Sequence, residues 1–407
     1  MDKMTLDTDL YEELWSAPSR AWHTLPAQPG ARRPSIISFT YGLPDAATFP
    51  ADELTGAVSL VLREDAAAAL QYGNVQGNPR LIATLIRKLK EDEGLDLDHE
   101  QVMITNGSSG ALGQIAHLLL DPDDYLVAEA PSFLGAVNIF RRAQAQIVEV
   151  PLDDEGIRVD ALESALHAAR ANERRVKFIY VMPNYQNPSG VTLSLPRRHH
   201  LLELATEYRT LIVEDDAYHD IRFEGDALPS LFAIDALGDS SGHVIRTGTF
   251  SKTLAAGLRL GWIIAPAPII RKLTTFKDDG GTSPFASHIA AAYAEAGELG
   301  LHIEQLQQHY KRKRDVMLGA MRQHFPHEVS WTEPAGGFFL WVTLPEHLDA
   351  SALLPLAREE GVEYLPGRAC YASASGSNNI RLAYSQPSLD DIEEGIKRLG
   401  RVLTSAL

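Results

Sequence analysis

The sequence predicts an α/β protein whose larger part holds a mostly parallel sheet, followed by a smaller α+β part. Between Val102 and Ala265, short β-branched runs alternate with helical patterns. The runs are apolar nearly throughout, as strands covered on both faces are. After Pro284 the texture changes to a long helical pattern and then to further strands. Strand, helix, strand at this spacing means βαβ units.

Taken in order, Val102–Thr105 precedes the amphipathic stretch Ser109–Leu120, and Tyr125–Ala128 precedes a helix near Leu134–Ala143. Lys177–Met182 leads through a Pro/Asn loop to a helix over Pro196–Tyr208. Leu211–Val213, His243–Arg246 and Trp262–Ala265 are further strand-like runs. A helical pattern spans Ala286–Phe325, with a break expected near Gly297–Gly300. Alternation over Gly337–Val342 predicts a strand, and Leu389–Leu403 a last amphipathic helix. The beginning of the chain, with Tyr11, Trp15 and Trp22 before a turn at Pro29–Pro34, reads as an arm. These readings divide the chain into residues 1–50 (arm and part of the small domain), 51–290 (large domain) and 291–407 (small domain).

Composition narrows the function. At 407 residues, with 45% hydrophobic and 22% charged, the chain has the profile of a soluble two-domain protein. A net charge of −17, from 54 acidic and 37 basic residues, excludes nucleic acid and anionic membranes as expected partners. It leaves room for a local basic pocket. Cys370 is the only cysteine, so no internal disulfide can form; a small buried hydrophobe is its natural reading. The first residues lack a basic region followed by an apolar one, and no apolar run approaches the roughly 20 residues that span a bilayer. A cytoplasmic location is expected. No metal ligand set is expected either.

The chemistry concentrates where strands end, as it does in open α/β sheets. In Thr249–Trp262, Lys252 offers a primary amine, while Thr249, Ser251 and Arg259 are donors suited to a phosphate dianion. An amine that forms a Schiff base needs shelter from water and an anchor for its partner's charged end. Thr105–Gly110 joins a strand to a helix through Ser108 and Ser109, an anion site or an ordinary N-cap. Phe133 could stack on a flat ring or simply fill core. Asn187, in the loop Pro183–Gly190, could donate its amide to a phenolate oxygen or only shape a turn. Asp215 and Tyr218 follow an apolar strand at a spacing that lets one turn deliver a carboxylate and a phenol; a solvated acidic turn is the alternative.

In this order, at successive strand ends, the set resembles the pyridoxal-phosphate (PLP) aminotransferases of fold type I, class I/II superfamily. The branch of 2-aminoadipate and kynurenine aminotransferases is the nearest in motif. The resemblance runs from Tyr41–Asp45 to Asn379–Leu382. It implies a large domain with a mostly parallel seven-stranded sheet between helices. It also implies PLP joined to Lys252, Asp215 against the ring nitrogen, and Asn187 and Tyr218 on the ring oxygen. Ser108, Ser109, Ser251 and Arg259 would hold the phosphate, and Phe133 would stack on the ring. Arg381 would grip the substrate α-carboxylate, with Gly42 and Tyr41 facing the substrate. Tyr72 would reach the phosphate of a partner subunit, so a homodimer is implied. Lys252 would act as the base of a ping-pong transfer from an α-amino acid to a 2-oxo acid.

The chain departs from the family pattern at several points. Tyr41 stands where many relatives have glycine, Ala256 where proline is frequent, Ser109 for glutamine and Phe133 for tyrosine. The Ser-x-Ile-Arg segment that seizes a distal carboxylate in aminoadipate-type relatives is absent before Gly42; Arg20, Arg32 and Arg33 are poor stand-ins. An apolar or aromatic substrate side chain is expected instead. A PLP-dependent oxidase, lyase or cyclase of specialised amino-acid metabolism is the alternative. A PLP-sensing transcription regulator would need a basic winged-helix domain, for which the short arm and acidic charge leave no room.

Overall fold

The computed structural model describes residues 13–20, 36–238, 242–277, 280–373 and 375–407. The large sheet has eight strands: β1 (Val102–Thr105), β2 (Tyr125–Ala130), β3 (Gln146–Asp153), β4 (Gly156–Ile157), β5 (Val176–Val181), β6 (Leu211–Asp215), β7 (Val244–Thr249) and β8 (Gly261–Ile264). Their order across the sheet is β1-β8-β7-β6-β5-β2-β3-β4. From β7 through β3 every pairing is parallel, while β8 runs antiparallel to both neighbours. Seven strands meet the expectation. The eighth is a two-residue hairpin arm on β3, turned at Gly156, whose φ of 97° favours glycine. All six residues of β7 and all four of β1 and β8 are buried, so helices cover both faces.

The helices at Gly107–Leu119, Leu134–Arg142 and Leu195–Tyr208 lie within two residues of the expected bounds. Other elements lay outside the sequence reading. Helix Pro79–Glu93 starts at the Asn78 cap with proline at its first position and stops at Gly94, φ 72°. Helices Ala51–Glu64, Val159–Ala171 and Ala267–Phe276, and the partly exposed strand β3, were likewise not foreseen.

Beyond the large sheet, Pro284–Glu295 and Glu298–His324 replace the single long helical pattern. The break falls at Gly297, φ 84°, at the leading edge of the expected break; Gly300 lies inside the second helix. That helix spans two cores: Leu306 and Tyr310 pack with the large sheet, Met317 and Met321 with a separate cluster around Ile392 and Leu399. The separate cluster belongs to a four-stranded antiparallel sheet in the order Ser330–Trp331, Phe339–Thr343, Asn379–Ala383, Leu365–Pro366. Both faces of Phe339–Thr343 are covered. Phe339 faces the core of Tyr180 and Tyr218, while Leu340 and Val342 face the core of the last helix, Leu389–Ala406. The early segment Ile37–Ser38 pairs in parallel with Val362–Glu363 and so joins this second body. Tyr11, Trp22, Arg32 and Arg33 of the expected arm lie outside the described residues, as does the side chain of Arg20.

A buried ion chain ties the sheet to its helices. Arg246 on β7 donates to Asp216 Oδ2 from Nε at 3.1 Å and from Nη2 at 2.7 Å. Its Nη1 reaches Glu93 at the end of helix Pro79–Glu93, and Ser230 Oγ at 3.1 Å. Both carboxylates are nearly sealed from water, so the guanidinium is their counter-charge. Removing it strands Glu93 and leaves Asp216 only the imidazole of His219, 3.4 Å away, as a charge partner among the described residues. Arg246→Ala should therefore lower unfolding free energy by about 3–5 kcal/mol, read as a reduced midpoint in denaturant; a change within about 0.5 kcal/mol, the usual size for a surface substitution, would contradict this account.

Candidate active site

The ends of β5, β6 and β7 converge on Asp215, the buried last residue of β6. Tyr180 Oη on β5 donates to its Oδ2 at 2.8 Å, and Thr247 Oγ1 on β7 to its Oδ1 at 3.3 Å. Among the described residues no cation forms a salt bridge with it, because Arg246 is turned to Asp216. Burial, helped by the Asp216 charge, pushes Asp215 up to about 6. Tyr218 follows on the same turn. Its ring meets Phe338 and Phe339 edge-on at 5.4 and 5.9 Å, and burial holds its phenol well above the ordinary value.

Lys252 lies in one wide helical turn, Ser251–Ala255, of the π type that recurs at functional sites. Its Nζ donates to Gly42 O at 3.1 Å and stands 5.3 Å from the Phe338 ring centre and 5.8 Å from that of Tyr218. Burial, then the charges of Arg381 and Arg259, bring the amine down to about 8. At neutral pH roughly a tenth of it is then an uncharged nucleophile or base, far more than at the ordinary lysine value. Gly42 is required for this contact: a Cβ there would sit 2.2 Å from Phe339 Cζ.

Arg381 projects from the central strand Asn379–Ala383. Nη1 donates to Asn187 Oδ1 at 2.9 Å and Nη2 to Thr40 O at 2.6 Å, with the guanidinium carbon 4.4 Å from the Phe339 ring centre. Its Nε is buried without a partner among the described residues, an orphaned donor that calls for an acceptor. The short segment Thr40–Gly42 thus touches both cations, Arg381 through one carbonyl and Lys252 through another.

A third cation completes an anion cradle. Helix Gly107–Leu119 begins with no side-chain cap, so its first N–H groups, at Ser108 and Ser109, await an acceptor. A Cβ at Gly107 would lie 2.8 Å from Arg259 Nη2, and one at Gly261 would lie 2.5 Å from Gly107 C and 2.7 Å from Ser108 N. The two glycines let β8, the helix start and Arg259 crowd into one corner. Three positive groups in a chain of net charge −17 make this a pocket for anions.

Thr249 sits differently from its sequence reading. Its hydroxyl donates to Leu260 O at 3.2 Å and accepts from Ser251 N at 3.0 Å, so it shapes the lysine turn instead of offering a proton to a phosphate. Ser251 is half-buried beside it. Phe133, half-buried, caps the start of helix Leu134–Arg142 and folds over Gly135, where a Cβ would be 2.4 Å from its Cζ. Tyr41 is half-buried next to Gly42. Tyr72 is 87% exposed and reaches none of the site within one chain. A cavity of about 500 Å³ lined by Lys88, His219, Asp220 and Gln307 opens elsewhere and includes none of these residues.

Residues 42–399 match the family model for aminotransferase class I and II. The chain belongs to this family. It is 40% identical to the aromatic-amino-acid aminotransferase 1 of Thermococcus litoralis, over 90% of this chain and 88% of that one. It is 35% identical to the 2-aminoadipate transaminase of Thermus thermophilus, over 92% of each. Its structure resembles the kynurenine aminotransferase of Pyrococcus horikoshii, solved with PMP (pyridoxamine phosphate, the aminated form of PLP) and kynurenine, at a TM-score of 0.91, with 37% identity and 98% of each chain covered.

The chain is thus a PLP-dependent aminotransferase, and its residues fit the cofactor. Asp215 is a buried carboxylate with two hydroxyl donors and no salt-bridge partner among the described residues, suited to a protonated ring nitrogen. The uncapped helix start and Arg259 suit a phosphate, and the sheltered amine of Lys252 suits a Schiff base. Sequence reasoning missed Tyr180, Thr247, Thr40, Phe338 and Phe339. Tyr180 carries a readable signal, a lone hydroxyl in the apolar run Phe178–Met182; the others emerge only from strand register and chain crossing. In cofactor-free protein, modification of Lys252 by an amine reagent should reach half its limit near pH 8. A midpoint at the ordinary lysine value of 10.5 would remove the electrostatic account of this amine.

Proposed function

We propose that this aminotransferase takes the amino group from α-amino acids with apolar or aromatic side chains and passes it to a 2-oxo acid. The observation that carries this reading is the pair of cations on one segment: Arg381 through Thr40 O and Lys252 through Gly42 O. Arg381 binds the α-carboxylate by a two-pronged bond, oriented by Asn187 and the Phe339 ring. That fixes the α-carbon near Lys252, which removes the donor's α-proton in one half-reaction and supplies a proton to the acceptor's α-carbon in the other. When bound, PLP supplies the electron sink that makes this proton labile, and it stores the amino group between the two half-reactions. Asp215 keeps the ring nitrogen protonated, Asn187 and Tyr218 hold the ring oxygen, and Phe133 covers the ring. Ser108, Ser109, Ser251 and Arg259 hold the phosphate. Phe338, Phe339 and Tyr218 exclude water from the lysine.

The substrate class is supported by Tyr41, by the lack of an arginine segment before Gly42, and by relatives named for aromatic amino acids and kynurenine. The exposure of Tyr72 and of Leu70 (69%) supports a homodimer in which Tyr72 serves the partner's phosphate site. A cytoplasmic location and a division at residues 51–290 and 291–407, with residues 1–50 joined to the second part, complete the reading.

Two measurements test it. With 2-oxoglutarate or pyruvate as acceptor, aromatic donors should exceed 2-aminoadipate in kcat/KM by about tenfold or more, the scale of a pocket mismatch; preference for 2-aminoadipate would refute the substrate class. Lys252→Ala should lose both turnover and the visible absorbance of lysine-bound cofactor, and borohydride should no longer fix cofactor to the chain. Retained turnover in that variant would defeat the assignment of the lysine.

A further inference from the structure

We infer that Tyr180 is a positioning residue of the reaction: its buried hydroxyl, donated to Asp215, holds that carboxylate ionised and aimed so that it can keep the cofactor's ring nitrogen protonated. The inference rests on the proposed role of Asp215 and deepens it. Tyr180 is fully buried on β5, between Ala128 of β2 and Val213 of β6 in register. Its ring is fixed edge-on against Phe140, 5.3 Å away at 72°. The hydroxyl therefore has one place to go, Asp215 Oδ2 at 2.8 Å.

The groups facing Asp215 make this donor matter. From β2 comes Glu129, which burial pushes up to about 8, so it adds little charge near neutrality. After β6 come Asp216, an anion held by Arg246, and Tyr218, a phenol that stays protonated. From β7 comes Thr247 Oγ1, a longer contact at 3.3 Å. Nothing cationic among them bonds Asp215, and Asp216 works against its ionisation. Tyr180 is itself prevented from ionising by burial and by Asp215, so it is a permanent donor. Hydrogen bonds to a charged group are the stronger kind, and this one favours the carboxylate form.

The sign follows. Losing the donor makes Asp215 the stronger base, so it protonates at a higher pH and takes more of the proton it shares with the ring nitrogen. Tyr180→Phe keeps the ring and its packing while removing the oxygen. In PLP-loaded enzyme carrying 15N in the cofactor ring, the wild type should show a protonated nitrogen across pH 6–8, the range that begins at the value of about 6 for Asp215. In Y180F the protonated signal should be weaker than in wild type throughout that range. The acid limb of kcat should move up by about one pH unit, so that kcat falls about twofold at pH 7 and about tenfold well below the limb, and KM for the amino donor should stay within about twofold. Thr247→Val should move the same signals in the same direction by less. An unmoved 15N signal and acid limb in Y180F overturn the inference, whatever happens to kcat. If Y180F fails to retain cofactor, an unmoved signal in T247V overturns it equally. A wild type whose nitrogen is unprotonated throughout overturns instead the role assigned to Asp215, so the two failures are distinguishable.

Discussion

A carboxylate buried at the end of a strand, with hydroxyls for partners and no salt bridge among the described residues, is the constraint from which the rest of the site follows. Asp215 keeps its charge at a cost that a neutral interior does not normally tolerate. Its neighbour Asp216 shows the usual solution, a guanidinium bonded in two places and backed by Glu93. Two adjacent acids thus have opposite fates: one is neutralised by the scaffold and the other is left for a cationic ligand. Sheet register makes this separation. Asp215 lies opposite Thr247 on β7 and Glu214 opposite Arg246, so the guanidinium passes beside the strand end and is taken up by Asp216.

The positive side of the site is organised with the same economy. Lys252, Arg381 and Arg259 come from a loop turn, a strand of the second sheet and a left-handed loop position, φ 55°. Each lowers or shapes the charge of another: the arginines depress the lysine, and burial depresses Arg381. The segment Thr40–Gly42 connects them with two carbonyls. It belongs to the second body through Ile37–Ser38 and Phe39, whose carbonyl accepts from Ala383 N at 2.9 Å. The guanidinium of Arg381 and the amine of Lys252 are therefore held by one short stretch of backbone.

Much of this was legible before any coordinates. The central strands are apolar runs because both their faces are covered, and the helices between them carry clear amphipathic patterns. Lys252, Asp215, Asn187 and Tyr218 were readable because each sits at a strand end or in a loop dense in turn residues, where chemistry-bearing side chains stand out; Arg381, in the middle of a strand, was readable only through the family resemblance. Helix Pro79–Glu93 was overlooked although its Asn-Pro start and glycine stop are ordinary signals, and β3 because an edge-side strand with four half-buried residues has a weak pattern. Tyr180 and Thr247 escaped for another reason. Their importance comes from standing beside Asp215 across two strand pairings, a relation between residues 35 and 32 positions away in sequence. The alternation over Gly337–Val342 pointed to a strand but not to its burial on both sides, which needs the two bodies to be in contact.

The backbone crossing at Gly107 and Gly261 has a consequence for how such a protein can diversify. Where an added methyl on Gly261 would come within 2.5 Å of the facing main chain, no substitution can be tried without moving that corner itself. That half of the site is frozen by its own main chain. The half around Tyr41 is built from side chains and can be rewritten one residue at a time. A single scaffold can in this way keep one cofactor while exploring many substrates, because the two tasks are written in different materials.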